Sequence, residues 1–290
     1  MIKNKKWKMK KHIPTIKDVL LEIEHHLNDK ETILKTKILL MHSNDINNFG
    51  ELDLKINQKM QGLEQFRVNF ARLLNGEPVQ YIISEATFFG NKFYVDERVL
   101  IPRPETEELT ETIINDIEKE QNQQLTILDV GTGSGVIGLT IKKIKPQINL
   151  ICTDISKDAL DVAMLNADNL GIKAQFYQGD RLVPIITNKL KVDIIAFNMP
   201  YIKKNESVAK DVITYEPNQA LFLPTEDFLK QFLKDVPLVK KDKITIYLEF
   251  GENQKEEIGK TIHDTIKTAK TTFFKDMQGK DRYVRIVYED

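Results

Sequence analysis

Between Ile16 and about Leu74 the apolar residues return every three or four positions, first as Val19, Leu20, Ile23 and Leu27, then as Ile33, Leu34, Ile38, Leu39 and Leu40. A third series runs Leu54, Ile56, Met60, Leu63, Phe66, Phe70 and Leu73. That spacing predicts amphipathic helices, broken by polar stretches such as Ser43-Asn44-Asp45. Each is too short to hold its shape alone, so a small helical bundle ending at Gly76 is expected. The period then changes. Ala86-Thr87-Phe88-Phe89, the turn pair Gly90-Asn91 and Lys92-Phe93-Tyr94-Val95-Asp96 read as a β-hairpin. In Pro102-Arg103-Pro104-Glu105-Thr106-Glu107-Glu108, proline precedes a cluster of acids. This favours a helix start, because the missing N–H costs nothing there and the charges meet the positive end of the dipole. The helix should run to about Lys119.

Beyond Gln121, β-rich and helical segments alternate. Strands are expected at Thr126 to Val130, Asn149 to Thr153, Ala174 to Tyr177, Asp193 to Phe197, Ile244 to Phe250 and Tyr283 to Tyr288. Helices are expected at Val136 to Lys145, Lys157 to Leu170, Asp227 to Val239 and Glu252 to Thr268. Such alternation predicts an α/β, Rossmann-like, doubly wound parallel sheet with its ligand site at the carboxyl ends of the strands, where the strand order reverses. The final strand, close after Phe273-Phe274, can close the sheet antiparallel. The expected organisation is a helical domain over 1–76, a β-hairpin bridge over 77–101 and the α/β domain over 102–290.

Composition narrows the class. Of 290 residues, 41% are hydrophobic and 29% charged, which excludes fibrous and disordered chains. No apolar run is long enough to span a bilayer, and the lysine-rich start lacks the apolar stretch of a secretion signal, so a soluble cytoplasmic protein with no membrane partner is expected. Cys152 is the only cysteine and reads as a small core residue. The histidines His12, His25, His26, His42 and His263 show no ligand spacing, so no metal is expected. The formal net charge is −1, yet Lys3, Lys5, Lys6, Lys8, Lys10 and Lys11 all precede the first acid. The body is therefore acidic, which argues against a stable nucleic-acid partner. The basic arm reads as a solvated terminus or, at most, as a segment that grazes a phosphate surface.

The chemistry gathers after the strand Thr126 to Val130, which runs into Gly131-Thr132-Gly133-Ser134-Gly135 and directly into a helix. Glycines are needed where backbone turns sharply against a ligand. Gly133, Gly135 and Gly138 also fit the spacing of dinucleotide proteins, and in either case Asp154, closing the next strand, is placed to grip ribose hydroxyls. Asp129, two residues before the first glycine, gives instead the order D-x-G-x-G-x-G, which resembles class I methyltransferases, implies that Asp129 binds the cofactor near its amino-acid end and favours S-adenosylmethionine over NAD. The strand Asp193 to Phe197 ends in Asn198-Met199-Pro200-Tyr201. On its own this tetrapeptide is a strand-ending turn. After a glycine loop it can align an NH₂ nitrogen for methyl transfer: the Asn198 side-chain oxygen and the carbonyl of Met199 accept its two hydrogens, while Tyr201 packs on the planar target.

With these motifs in order, the chain resembles the glutamine-N5 methyltransferases that modify peptide-chain release factors, called HemK or PrmC enzymes. The likeness spans nearly the whole chain, through Glu77 to Ile82, Val99 to Glu107, Gly131 to Gly135, Thr153 to Ser156, Gly179-Asp180, Asn198 to Tyr201, Tyr215-Glu216-Pro217 and Gly279 to Arg282. It implies a class I methyltransferase domain and a helical domain that recognises the release factor. Cofactor contacts are implied at Gly131, Thr132, Gly133, Ser134, Gly135, Asp154, Asp180, Arg181 and Asn198, with the substrate glutamine on Asn198, Met199, Pro200 and Tyr201. This chain departs from the pattern at Met199, where the family has proline, at Arg181, where an aromatic residue often meets the adenine, and at Leu223 to Phe228, in place of a glycine-rich stretch. The rival readings are an adenine-N6 methyltransferase acting on nucleic acid, an NAD-dependent oxidoreductase, and a cofactor-binding module without turnover.

Overall fold

The computed structural model describes residues 13–120 and 124–289; the basic arm lies outside the described residues. The chain divides into two compact units, Met1–Ser84 and Glu85–Asp290.

In the first unit α1 (Ile16–His26), α2 (Lys30–Ser43), α3 (Phe49–Lys55), α4 (Leu63–Leu74) and α5 (Val79–Ile83) pack as a bundle. Thr15 and Asp18 cap α1 reciprocally, side chain to backbone, so donors that the first turn leaves open are satisfied. Asp29 and Asn48 cap the next two helices. The core comprises the residues whose spacing predicted helices, Val19, Ile23, Leu39, Leu40, Phe66 and Phe70 among them, together with Val79 and Ile82 of α5. α5 begins just beyond Gly76, where the sequence pattern shows no period because five residues are too few to display one.

In the second unit the hairpin is β1 (Ala86–Phe88) and β2 (Asn91–Phe93), joined antiparallel across Phe89-Gly90. α6 (Pro104–Lys119) starts as expected, with proline in its first turn alongside Glu105 and Glu107. There follow β3 (Thr126–Val130), α7 (Val136–Ile144), β4 (Asn149–Asp154), α8 (Lys157–Leu170), β5 (Gln175–Gln178), α9 (Val183–Thr187) and β6 (Val192–Asn198). The chain continues through α10 (Lys210–Tyr215), α11 (Asn218–Leu221), α12 (Phe228–Val239), β7 (Lys240–Glu249), α13 (Lys255–Thr265), β8 (Lys270–Lys275) and β9 (Asp281–Glu289).

Among the described residues β3 to β9 form one seven-stranded sheet in the order β5-β4-β3-β6-β7-β9-β8. The first five of these pair in parallel, and β9 enters antiparallel between β7 and β8. This is the expected doubly wound sheet, with the antiparallel closing strand set one place inside the edge. The order reverses between β3 and β6, which opens a crevice beyond their carboxyl ends. One face of the sheet packs against α12, α13 and α9 through Leu128, Ile195, Phe197, Phe232 and Leu233. The other packs against α6, α7 and the hairpin through Phe88, Phe93, Leu109, Ile113, Leu139 and Ile194. Burial on both faces explains why the central strands β3, β4 and β6 read as largely apolar runs. β8 escaped the sequence reading because its Lys-Thr-Thr start is exposed and polar.

Candidate active site

The crevice is a cleft lined by the glycine loop, Asp154 to Ser156, Gly179 to Arg181, Phe197, Asn198 and Pro200, with Arg98 to Leu100, Pro102, Arg103 and Thr106 on one rim and Pro217, Gln219, Ala220, Pro224 and Phe228 on the other. On its β3 side the loop is fixed by backbone contacts. The Thr132 N–H donates to the Thr153 carbonyl at 2.9 Å and the Gly133 N–H to the Asp154 carboxylate at 3.0 Å. The same carboxylate accepts the Ser156 N–H at 2.9 Å. Gly133 has φ +55, and a Cβ there would project into open space. The glycine thus keeps the cleft wall bare and relieves the turn of strain. Gly138 is required for another reason: a Cβ would come within 2.9 Å of both Asp129 Oδ2 and Leu150 Cδ1.

Asp129 itself is buried behind the loop, where Oδ2 accepts the Thr132 hydroxyl at 2.7 Å and the Gly138 N–H at 3.0 Å. Burial, with Asp154 nearby, pushes its carboxyl up to about 6. It shapes the loop from inside and does not line the cleft. Gly135, at φ +84, likewise lies behind the wall at the start of α7. Asn166 of α8, unremarked in the sequence, spans the region by accepting the Tyr94 N–H and donating to the carbonyls of Tyr94 and Ser134. A lone asparagine on a helix carries no sequence signal for this.

Charge on the cleft wall is already balanced, with one exception. Arg98 pairs with Asp96, Arg103 with Glu216, and Arg181 with Asp180. Asp154 has no cationic partner among the described residues. Its carboxyl is raised by burial, against which its backbone N–H partners act. A wall with no free cation and one uncompensated carboxylate suits a cationic nucleoside ligand with ribose hydroxyls to donate, and not a pyrophosphate. The bare Gly133 wall, the free acceptor of Asp154 and the lack of spare cations all fit S-adenosylmethionine. Arg181 adopts φ +47, and its guanidinium reaches Gln231 and lies 5.2 Å from the centroid of the Phe228 ring. The departing segment Leu223 to Phe228 therefore supplies the surface on which the departing Arg181 rests.

The β6 side is built from side chains. Asn198 ends β6 and is the ladder partner of Glu249, which ends β7. Thr106, in the first turn of α6, lies over both: its hydroxyl donates to Glu249 Oε2 at 2.9 Å and accepts from Asn198 Nδ2 at 3.2 Å. Glu249 is 1% exposed, and burial pushes its carboxyl up to about 7 against the opposing pull of Thr106, Arg282 and Asn198. The tetrapeptide divides. Asn198 and Pro200 line the cleft, whereas the Met199 side chain is buried in the sheet core. Tyr201 lies in a small depression beside Met199 and Leu223, and its carbonyl accepts from Gln254 at 2.7 Å. Glu216 tightens the rim by accepting the Ile101 N–H at 3.1 Å and Arg103 at 2.6 Å. Thr106 and Glu249 were not singled out from sequence. An acid directly after the largely apolar run Ile244 to Leu248, beside the strand that ends in Asn198, was the available signal for Glu249.

The strand order, glycine loop and acid at the end of β4 define a class I S-adenosylmethionine-dependent methyltransferase. Residues 105–247 match the model of the methyltransferase small domain. A methyltransferase from Pyrococcus furiosus shares the fold at a TM-score of 0.50 and 15% identity, over 76% of this chain and 96% of that one. The release factor glutamine methyltransferase of Bacillus subtilis is 39% identical over 228 residues, covering 77% of this chain and 79% of its own. That of Bacillus cereus is 32% identical over 257 residues, covering 86% and 90%. The chain belongs to the release factor glutamine methyltransferase family.

Proposed function

We propose that this chain methylates the side-chain amide nitrogen, N5, of the glutamine in the Gly-Gly-Gln loop of a peptide-chain release factor, in the cytoplasm. The observation that carries the reading is the state of Asn198: its NH₂ group is bound to Thr106, so Oδ1 is the atom left to receive a donor from the cleft. A glutamine amide brings two N–H donors, and Oδ1 of Asn198 with the carbonyl of Met199 are the two acceptors that hold it. Bound S-adenosylmethionine supplies an electrophilic methyl group on a sulfonium centre. Gly131, Thr132, Gly133 and Ser134 form the wall on which it rests, Asp154 receives the ribose hydroxyls, and Asp180 with Arg181 borders the base.

The amide nitrogen is a weak nucleophile because its lone pair is delocalised. Acceptors on its hydrogens return electron density to nitrogen and fix its direction, and one amide proton passes to solvent, so that the nitrogen ends neutral with one hydrogen and one methyl group. Alignment and a preorganised field do the catalytic work, so neither a metal nor a strong base is invoked. Among the described residues no cluster suited to a metal ion occurs.

One glutamine offers too little surface for selectivity, so the helical unit Met1–Ser84 supplies docking area for the folded substrate. Its exposed Leu21, Leu34, Phe49, Leu54 and Val68 are apolar surface with which to do so. The test is to incubate the protein with labelled S-adenosylmethionine and a purified release factor and to locate the label by mass spectrometry. A methyl on the loop glutamine is expected; label on adenine of nucleic acid, or on no product, overturns the reading.

A further inference from the structure

We propose that Thr106 and Glu249 are positioning residues that set which end of the Asn198 amide meets the substrate nitrogen. The inference rests on the reading of Asn198 as substrate acceptor and deepens it. An asparagine amide is nearly symmetrical in shape, so only its hydrogen-bond partners decide whether oxygen or NH₂ faces the cleft. Thr106 has a single hydroxyl proton. With that proton given to the Glu249 carboxylate at 2.9 Å, the threonine oxygen can only accept, and it accepts from Asn198 Nδ2 at 3.2 Å. The oxygen of the asparagine is thereby turned to the substrate. The pair Asn198 and Glu249 is held in ladder register across β6 and β7, so the relay has fixed ends.

The direction of this relay depends on one proton. When Glu249 is protonated its O–H can donate to Thr106, whose own proton is then free for Asn198 Oδ1; the amide turns over and meets the N–H donors of the substrate with its own. Donor against donor does not bind. The groups facing Glu249 are Thr106 and Glu105 of α6, Asn198 of β6, Tyr201 beyond it, and Arg282 of β9, with Tyr283 as its ladder partner on that strand. Burial outweighs the help of Arg282 and pushes the carboxyl up to about 7.

The test uses the full chain, S-adenosylmethionine and a purified release factor. Wild-type protein is assayed first, and no transfer to glutamine overturns the proposed function itself. Given wild-type transfer, Thr106→Val, which keeps the volume and removes the relay, should lose about a hundredfold in kcat at unchanged cofactor affinity. Thr106→Ser should restore kcat to within about threefold, a rescue that a purely packing role would not give. The wild-type kcat should fall on the acid side of a midpoint near 7. Glu249→Gln should abolish that limb. As a readout independent of turnover, the Asn198 side-chain amide signals in ¹⁵N-labelled protein with S-adenosylhomocysteine should shift with the same midpoint in wild type and not in Glu249→Gln. The inference is overturned if Thr106→Val turns over within about threefold of wild type. It is equally overturned if the acid limb survives unchanged in Glu249→Gln, which decides alone should Thr106→Val melt below the assay temperature.

Discussion

The two sides of the cleft are made of different material. On the β3 and β4 side the wall is main chain: the glycine loop, the N–H groups of Gly133 and Ser156, and one carboxylate they hold, Asp154. On the β6 and β7 side it is a relay of side chains drawn from Thr106, Asn198 and Glu249, which lie far apart in sequence. A main-chain wall suits a ligand that never changes, because a loop set by φ angles has little freedom to drift. A side-chain relay suits a reacting group, since it can be tuned through one proton. The same contrast predicts how each side fails.

The largest effect falls on the relay side. Asn198→Ala removes one of the two acceptors aligning the nitrogen, and kcat should drop by about 10² to 10³ while cofactor affinity, measured by calorimetry, falls far less than in Asp154→Ala. Parallel losses in both would mean that the two sides are not separate. Asp154→Ala should do the reverse, weakening S-adenosylmethionine by about 1.5 to 3 kcal/mol through lost charge-assisted hydrogen bonds. Part of that loss comes from Gly133, whose N–H gives up its acceptor. Unchanged affinity in this variant would remove Asp154 from the ribose assignment, and tighter binding of NAD than of S-adenosylmethionine would undo the charge argument for the cleft.

The contrast also explains what could be read from the chain. A main-chain wall writes itself locally: Gly131, Gly133 and Gly135 within five residues after a strand, with Asp154 ending the next, are visible in one dimension. So are the long elements, since α6, α8 and β3 have periods or apolar runs that match their observed bounds. Asp129 was visible too, but its side was not: the spacing brings it to the loop, and only packing turns it inward onto Gly138. Of the relay, Asn198 was legible at its strand end, but its link to Glu249 through Thr106 was not, for a related reason. Thr106 sits in a segment that reads as a helix start, and nothing in a helix start says which hydroxyl will meet a strand end more than a hundred residues later. Short elements such as α5 and α9 fail on length alone, each being too brief to show a period.

Stability against pH separates the two sides by a smaller effect. Glu249 has a folded pKa of about 7, above its ordinary 4.5. The folded state therefore holds this proton more tightly than the unfolded one, so the contribution of Glu249 is fully present below pH 4.5 and is lost as pH rises through 7. Asp129 acts in the same direction between 3.8 and about 6. Denaturant unfolding followed from pH 5 to 8 should show stability declining from these groups, and Glu249→Gln should flatten the part above pH 6 while leaving the Asp129 part in place. A slope above pH 6 identical to wild type would show that Glu249 is not the titrating group.

The smallest catalytic effect is expected at Met199. Its side chain is 3% exposed and packs in the sheet core, near Leu223 and Leu229, while its neighbours Asn198 and Pro200 line the cleft. What residue 199 offers the substrate is therefore its carbonyl, which every amino acid has. The residue before a proline is already held in the extended region, where a second proline also fits, so Met199→Pro should leave the direction of that carbonyl unchanged. Turnover should stay within about threefold of wild type. Stability should not, because the exchange empties part of a core site and costs about 1 to 3 kcal/mol, read as a lower denaturation midpoint. A variant as inactive as Asn198→Ala, yet folded and still binding cofactor, would show that the methionine side chain or its N–H serves the reaction, and that the relay side extends one residue further along the chain than the carbonyl argument allows.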